Sequence, residues 1–438
     1  MLQRIFKRLS SARIVAIGFI AIIFIGSGLL MLPVSLKHPG SLHYIDALYT
    51  STSAVCVTGL LSIEAGDTFS TVGQFILGLL IQIGGLGVTS VGAGVILAMR
   101  KKVNLKGRAI IKDAMNLDSG KGVVKFVQSV FLTTLAFEAA GAVLTFFVFI
   151  RDYPPARAIG LSFFHSIAAF NNSGIDIFGG GRSLSGYQDN VYFNIITILL
   201  IVFGGIGFLL IREVIDKKFC WRRFSMHTKV VLSMSASLII VGALLLMLTE
   251  NISVLGAFFQ SVSARTAGFY TYPLGKFTNA GRIVIIVLMF IGASPGSTGG
   301  GIKTTTFFVL LQGIKSAATN RSEKAFRYSV PVNAFRKASV ILLMGLTIVL
   351  TGSFIMSALE PGIDMSDILF EITSAFGTTG LSTGITGSLT TGSKILSIII
   401  MYIGRLGPLT IATLWYFDKG ERVSFPDGNI SIGYFKES

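Results

Sequence analysis

One short pattern built around a glycine recurs four times along this chain of 438 residues. In every copy a small residue stands directly before the glycine, another stands five residues before it, and a large apolar residue follows. The copies read SAVCVTGL at 53–60, AAFNNSGI at 168–175, VSARTAGF at 262–269 and SAFGTTGL at 374–381. Glycine permits dihedrals that turn backbone carbonyls inward, and rings of such carbonyls can replace the hydration shell of a cation. The pattern therefore predicts a cation filter assembled from four loops.

The residues expected to line this filter are the last three of each loop, ending at its glycine. They are Val57, Thr58, Gly59, Asn172, Ser173, Gly174, Thr266, Ala267, Gly268, Thr378, Thr379 and Gly380. No ring of acidic side chains occurs at these positions in the sequence, which disfavours a filter selective for divalent ions. A monovalent cation is therefore the expected cargo.

A second glycine pattern follows each loop at a similar distance. It reads IGGLG at 83–87, FGGIG at 203–207, IGAS at 291–294 and IGRLG at 403–407. Close packing between helices explains this second pattern, because small residues let helix backbones approach each other. Two patterns that recur four times in the same order indicate four internal repeats.

The composition excludes an ordinary soluble protein. Only 13% of residues are charged and 52% are hydrophobic, whereas soluble domains are about 25% charged. The bilayer is therefore the expected solvent, and lipid an expected partner. The net charge of +16 comes from basic clusters within 4–13, 100–125, 212–229 and 315–337, which alternate with acid-richer segments. That alternation is typical of positive-inside loops rather than of nucleic-acid binding, and it predicts a multi-pass protein with both termini in the cytoplasm.

Each repeat is predicted to hold an outer helix, a short pore half-helix, a filter loop and an inner helix. The outer helices are predicted at 14–32, 125–150, 229–249 and 336–358. The pore half-helices are predicted at 44–55, 158–170, 253–264 and 366–376, and the inner helices at 70–99, 190–216, 279–314 and 392–418. A half-helix of about 12 residues cannot cross about 30 Å of hydrocarbon, so it must enter and turn back.

The predicted fold is an all-α polytopic membrane protein with four repeats in a pseudo-fourfold ring around one central pore. Two full spans in every repeat give all four the same orientation, unlike the inverted repeats of many transporters. The predicted repeats cover 1–100, 101–227, 228–320 and 321–418, and a cytoplasmic tail covers 419–438.

The third inner helix is predicted to be interrupted in the middle of its span. Five glycines and Pro295 cannot continue a stable helix, and irregular backbone at membrane depth is tolerated where it lines a cavity. The hypothesis is a mobile loop that gates the pore below the filter, and a static kink is the alternative. The residues expected to form the gate are Gly292, Gly296, Gly299, Gly300, Gly301 and Lys303.

Several polar residues lie within the predicted spans and half-helices. Arg405 replaces the second glycine of the repeated pattern, and a charge in a transmembrane helix is costly enough to indicate function. Glu371 and Asn171 are expected to support the filter through hydrogen bonds. Arg265 is also expected to brace a filter, since a free cation in the ion path would repel the cargo. Glu138 has no assigned role beyond a buried pair.

Four segments carry a family resemblance that extends over nearly the whole chain: FHSIAAFNNSG at 164–174, QSVSARTAGF at 260–269, GSTGGGIK at 296–303 and SAFGTTG at 374–380. With them the chain resembles the membrane subunits of Ktr-type K⁺ uptake systems, within the Trk/Ktr/HKT superfamily. Filters of that family are similar to a degenerate K⁺-channel loop in which only the central glycine is kept. A serine at the first such position accompanies Na⁺ transport in plant members, whereas Gly59 resembles the K⁺-transporting type.

The resemblance implies K⁺ uptake across a bacterial plasma membrane, with Na⁺ as a candidate activator. It also implies that the glycine-rich loop is the gate and that the charge of Arg405 is a barrier to cations below the filter. Lys303 either adds to that barrier or caps loop carbonyls. A homodimer with one pore per protomer and a cytosolic ring of nucleotide-binding regulatory subunits are the expected partners. No nucleotide site is expected on this chain, because it has no Walker A sequence.

Two rival classes of function remain to be weighed. A membrane enzyme is not expected, because the spans contain no nucleophile–base pair and no metal-ligand spacing. A carrier that couples Na⁺ or H⁺ to a solute by alternating access would require inverted repeats and intramembrane acids. Glu138 is the one sequence feature that favours this carrier.

Overall fold

The computed structural model describes residues 10–98, 122–321, 323–326, 328–331 and 333–413. Within these ranges four units follow one another, each a long helix, a short helix, a loop and a broken helix. The long helices, called outer helices 1 to 4, are Ser11–Leu30, Val123–Phe149, Met226–Thr249 and Ala334–Leu359. Each is long and apolar enough to cross a bilayer, and each exposes large apolar side chains such as Phe24, Leu132, Leu248 and Phe354. The chain is therefore a membrane protein.

The short helices, called pore helices 1 to 4, are Tyr44–Cys56, Pro155–Phe170, Val254–Ser263 and Met365–Gly377. Pro155 at the first turn of pore helix 2 and Ser253, which caps the Gly256 amide of pore helix 3, fix two of the starting points. The C-terminal halves of these helices are buried. The predicted outer and pore helices agree with the observed ones to within one helical turn.

Every inner helix is broken, not the third alone. The upper halves are Thr71–Leu86, Val191–Gly205, Asn279–Phe290 and Thr391–Leu406, and the lower halves are Val88–Ala98, Phe208–Asp216, Thr304–Thr319 and Pro408–Thr413. The expectation of continuous first, second and fourth inner helices was wrong. In the second, the two halves meet at an angle of 98°.

The second glycine pattern both packs and breaks these helices. In units 1, 2 and 4 its first glycine lies against the C-terminal carbonyls of the unit's own pore helix, so that a Cβ at Gly84 or Gly404 would collide with Val55 O or Phe376 O. In the same three units its last glycine adopts a positive φ, +81° at Gly87, which ends the helix. These contacts confirm that the start of the pattern packs helices closely. The helix break at the end of the pattern was not predicted.

The units contact one another in a closed sequence. Each pore helix packs on the upper inner helix of the preceding unit. Pore helix 2 packs on inner helix 1, pore helix 3 on inner helix 2, pore helix 4 on inner helix 3, and pore helix 1 on inner helix 4. Pore helix 1 and inner helix 4 lie at opposite ends of the chain. Packing therefore joins the last unit back to the first.

Short elements connect the units. They are the helix Ala65–Thr68, the 3₁₀ turns Pro33–Ser35, Ser185–Tyr187, Trp221–Arg223, Leu274–Lys276 and Thr386–Ser388, and an antiparallel pair of strands, Lys324–Ala325 and Tyr328–Ser329. Most of the first two basic clusters and the whole predicted tail at 419–438 lie outside the described residues.

Candidate functional site

The four predicted filter loops meet one another through their glycines. A Cβ placed on any of these glycines would collide with the carbonyl oxygen of the residue that precedes the glycine of the next loop. The colliding pairs are Gly59 with Ser173 O, Gly174 with Ala267 O, Gly268 with Thr379 O, and Gly380 with Thr58 O. The contacts run from loop 1 to loop 4 and back to loop 1, so they form a closed cycle among the four loops.

Three of the four loops share one backbone conformation. Val57, Asn172 and Thr378, each two residues before its glycine, have φ of 55°, 58° and 48°. Residues other than glycine rarely adopt this left-handed conformation. Here it reverses the direction of the chain at the end of the pore helix. Thr266, the equivalent residue of loop 3, instead has φ of 122°, and pore helix 3 ends earlier, at Ser263. The third loop therefore reaches the same site by a different path.

Serine hydroxyls fix two of the loops from behind. Ser53 Oγ accepts a hydrogen bond from the Gly59 amide at 2.9 Å, and Ser374 Oγ accepts one from the Gly380 amide at 3.1 Å. Both serines stand six residues before their glycine. The sequence analysis did not single them out, although this shared spacing was a signal that could have found them.

All twelve predicted lining residues are in these loops and are buried or nearly so. The hydroxyls of Thr58, Ser173 and Thr379 have no hydrogen-bond partner among the described residues. Each stands directly before its glycine. The rest of the described chain therefore leaves the hydrogen-bonding capacity of these hydroxyls unused.

The glycine-rich loop at 291–303 lies against the filter loops and the breaks in the inner helices. The Gly300 amide donates to Thr378 Oγ1 at 3.0 Å, and a Cβ at Gly299 would fall within contact of the Thr266 side chain. The loop also bonds to the second unit, where the Ser294 amide donates to Gly205 O at 3.1 Å. It thus contacts filter loops 3 and 4 and inner helix 2.

The remaining predicted gate glycines pack within the same loop. Gly296 has φ of 69°, and its carbonyl accepts from the Phe208 amide at 3.1 Å. A Cβ at Gly292 would collide with Gly300 O, and Gly301 also has a positive φ, 68°. A side chain at Gly292 would not fit, and side chains at Gly296 and Gly301 would be strained by the positive φ.

Two basic side chains hold this loop. Arg405 donates from Nη1 to Thr298 O in the loop and from Nη2 to Gly84 O in inner helix 1. Lys303 Nζ donates to Gly299 O at 2.7 Å. Arg405 thus joins the loop to the first unit across more than three hundred residues of sequence, and Lys303 caps a carbonyl, one of the two roles that the sequence left open.

A buried polar cluster stands behind the second filter loop. The two hydrogens of Asn171 Nδ2 are shared among three acceptors, Gln82 Oε1, Glu138 Oε1 and Ile167 O, each 2.9 Å from the nitrogen. These partners come from inner helix 1, outer helix 2 and pore helix 2, so one amide joins three helices. Gln82 is a member that the sequence analysis missed, because no local pattern distinguishes it.

Glu371 supports the segment after the fourth filter glycine. Its carboxylate accepts from Ser382 Oγ at 2.8 Å and from Thr386 Oγ1 at 2.6 Å. Both donors follow Gly380 in the sequence. The carboxylate is therefore placed to hold the chain where it leaves the filter.

Polar pairs join the starts of the pore helices to the starts of the preceding inner helices. Lys394 Nζ lies 2.8 Å from Asp46 Oδ1 at the junction of units 4 and 1, and Arg282 Nη1 lies 2.9 Å from Asp367 Oδ1 at the junction of units 3 and 4. At the junction of units 1 and 2, Arg157 donates to Gln74 Oε1 at 2.9 Å. The sequence analysis did not find these junction pairs, because their members come from different repeats.

Carboxylates also gather in the segments that follow the first two filters. Burial raises the pKa of Asp176, a hydrogen bond from the Phe178 amide lowers it, and the nearby charges of Glu64 and Asp67 raise it, with a net value of about 7. Glu64 and Asp67 thus lie near enough to Asp176 to act on its charge.

The family model TrkH, described as cation transport protein, matches residues 10–420. The chain is 34% identical over 453 residues to the potassium/sodium uptake protein NtpJ of Enterococcus hirae, covering 99% of both chains. It is 35% identical over 439 residues to Ktr system potassium uptake protein B of Bacillus subtilis, covering 97% of both. These matches confirm the resemblance that the sequence indicated.

Among solved structures, the crystal structure of the potassium transporter TrkH from Vibrio parahaemolyticus is similar, with a TM-score of 0.73 at 20% sequence identity. The match covers 93% of this chain and 86% of that one. At this identity the likeness shows a shared fold. The relatives are transporters and not enzymes, in agreement with the prediction from the sequence.

Proposed function

The chain belongs to the TrkH family of cation transport proteins, and we propose that it takes up K⁺ across a bacterial plasma membrane through its four filter loops. The observation that carries this proposal is the closed cycle of contacts in which each filter glycine meets the carbonyl before the next one. Such an arrangement offers a cation backbone oxygens from four sides, which is how selective filters replace a hydration shell.

The proposed architecture is a pseudo-fourfold ring of four repeats around that filter. The packing of each pore helix on the preceding inner helix, including pore helix 1 on inner helix 4, supports it. The repeats would run from 1 to 100, 101 to 227, 228 to 320 and 321 to 418, with both termini in the cytoplasm. One pore per chain follows from this arrangement.

The proposed cargo is K⁺, on two grounds. The filter lining is neutral and rich in carbonyl and hydroxyl oxygens, which suits a monovalent ion. The two high-coverage relatives are named as potassium/sodium and potassium uptake proteins. Na⁺ is a candidate activator or second cargo, and the name of the Enterococcus relative is the reason to test it.

The proposed gate is the loop at 291–303 together with Arg405. The loop contacts two filter loops, and the guanidinium ties it to inner helix 1. Conduction would require the loop to leave the filter, which breaks the Arg405 bonds. The positive charge of Arg405 would in addition repel a cation in the cavity below the filter.

Control of the gate is proposed to come from other chains. A cytosolic ring of nucleotide-binding regulatory subunits and a second copy of this chain are the proposed partners. The basic cluster that includes Arg222 and Arg223 would face the cytoplasm and offers a surface for such a ring. No nucleotide site is proposed on this chain.

A carrier coupled to Na⁺ or H⁺ is the alternative, and Glu138 is the residue that would serve it. The carboxylate is 7% exposed and accepts a hydrogen bond from Asn171 behind the second filter. Those contacts favour filter support over ion coupling. A carrier would show K⁺ uptake that depends steeply on the second ion's gradient, and a pore would not.

The deciding experiment is K⁺ or Rb⁺ uptake in cells that lack their own K⁺ transport, with the regulatory partner co-expressed. The wild-type chain should restore growth at low K⁺. Gly268→Ser should abolish that growth, because a side chain there collides with Thr379 O and the residue has φ of 78°. Gly28→Ala, in outer helix 1 with no atom near the new Cβ, is the matched control and should grow as wild type. Failure of the wild-type chain to restore growth would contradict the proposed function.

A further inference from the structure

A buried arginine without a carboxylate partner stands beside the third filter loop. Arg265 lies three residues before Gly268 and is 9% exposed. Its guanidinium turns away from the ion path toward outer helix 3, where Nη1 donates to Ser235 O at 3.3 Å and Nη2 donates to Ser235 Oγ at 3.4 Å. Both bonds are long, and the Nε atom has no partner among the described residues.

The ion pairs found in the described part of the chain do not include Arg265. Arg282, by comparison, pairs with Asp367 at a junction between units. Burying an unpaired charge is costly. Bracing alone therefore does not explain why this position carries a charge.

A small, mostly apolar cavity lies between Arg265 and the second filter loop, and both line it. The cavity holds about 20 Å³, room for one water molecule, and Asn172, Thr266 and Gly205 are among its lining residues. In the orientation that satisfies the Asn172 amide, its oxygen accepts from Thr266 Oγ1 at 3.1 Å and its nitrogen donates to Ile201 O. No carboxylate lines this cavity, so nothing between the guanidinium and the two filter loops neutralises its charge.

The third loop is also the one whose backbone departs from the other three, at Thr266. The early end of pore helix 3 places Arg265 after the helix, at a position that in loops 1 and 4 is still helical. The departure lets the long side chain leave toward Ser235 instead of entering the filter. The chain thus holds a fixed positive charge near the ions but out of their path.

We propose that the charge of Arg265 sets the electrostatic potential of the filter and excludes divalent cations from it. This inference rests on the proposed K⁺ uptake. The interaction energy of a fixed charge with an ion is proportional to the ion's charge. A potential that weakens K⁺ binding by a given factor therefore weakens the binding of a divalent ion of the same size by the square of that factor.

The test uses Ba²⁺, which has nearly the radius of K⁺ and twice its charge. Rb⁺ uptake would be measured in proteoliposomes as a function of K⁺ and of Ba²⁺ for wild type, Arg265→Gln and Arg265→Lys. We expect Arg265→Gln to lower the KM for K⁺ about threefold and the inhibition constant of Ba²⁺ about ninefold, whereas Arg265→Lys keeps both within about twofold. Ser235→Ala removes part of the brace while keeping the charge, and it should leave the ratio of the two constants unchanged.

Equal factors for K⁺ and Ba²⁺ in Arg265→Gln, or the same shifts in Arg265→Lys, would overturn the inference and leave the proposed function standing. Absence of Rb⁺ uptake by the wild-type chain would instead contradict the proposed function itself. Arg265→Met, neutral and of similar length, provides the second neutral variant if Arg265→Gln does not fold, and the same square relation is expected of it.

Discussion

The filter loops and the breaks in the inner helices are both built on repeated glycines, yet only the loops are nearly alike. Each filter glycine has a positive φ and meets the carbonyl of the next loop. The breaks differ: those in inner helices 1 and 4 are single residues at Gly87 and Gly407, whereas the third extends from 291 to 303. The fourth adds Arg405 in place of a glycine.

This difference follows from what each region must do geometrically. Four loops that surround one ion must present equivalent oxygens, so each is restricted by its neighbours. The breaks meet no such requirement, and the third of them is a loop at 291–303 that contacts the filter loops. Binding of a cation is proposed for the filter loops, and control of conduction is proposed for the breaks in the inner helices.

The largest expected effect is a contrast between two variants that each add one methyl group, Gly59→Ala in a filter loop and Gly87→Ala in a helix break. Gly59→Ala should reduce Rb⁺ uptake more than about 100-fold, because the new Cβ collides with Ser173 O and lies 3.1 Å from the Gly380 Cα. Gly87→Ala meets no atom within 4 Å and adds only backbone strain, on the order of 1–3 kcal/mol, from its positive φ and extended ψ. Its uptake should stay within about tenfold of wild type. Similar losses in both variants would show that the filter is not the more restricted region.

Arg405→Gln is expected to increase Rb⁺ uptake, whereas Gly59→Ala decreases it. The change removes the charge and weakens the bonds to Thr298 O and Gly84 O, so the loop should leave the filter more readily. Uptake of Rb⁺ should rise roughly five- to tenfold. The control is Arg282→Gln, which removes a charge at the start of an inner helix and should not raise uptake. Unchanged or lower flux in well-folded Arg405→Gln protein would contradict the barrier role.

The smallest expected effect concerns the junction between unit 4 and unit 1. Asp46→Asn breaks the ion pair with Lys394 that joins unit 4 to unit 1, whose side chains are 9% and 11% exposed. The loss should be about 2 kcal/mol of stability, between that of exposed and of fully buried pairs. Heating of detergent-solubilised protein, followed by size-exclusion chromatography, would measure it.

The double variant Asp46→Asn with Lys394→Met should recover most of that loss, because no unpaired charge is left at the junction. Additive losses in the two single variants would mean that the pair does not hold the junction. The junction of units 2 and 3 has Gly256 and Asn194 at the equivalent positions, and Asn194 donates instead to Tyr187 O and Asn190 O. The junction of units 2 and 3 therefore shows how two units pack without an ion pair at these positions.

The sequence alone determined the outer helices, the pore helices and the filter glycines. Apolar runs and their lengths are local properties, and the bilayer requires them whatever the helices pack against. The interruption near Pro295 was predictable for the same reason, since glycine and proline act on the backbone where they stand.

Only the tertiary structure decided which loops touch, that all four inner helices break, and where the buried charges find their partners. Asn171 with Glu138, Arg405 with Gly84, and Arg265 with Ser235 join residues far apart in the chain. No local pattern encodes such pairs, because they depend on how helices from different units pack. For this protein the repeated sequence determined the parts of a filter, and packing between the units decided how those parts close around one site.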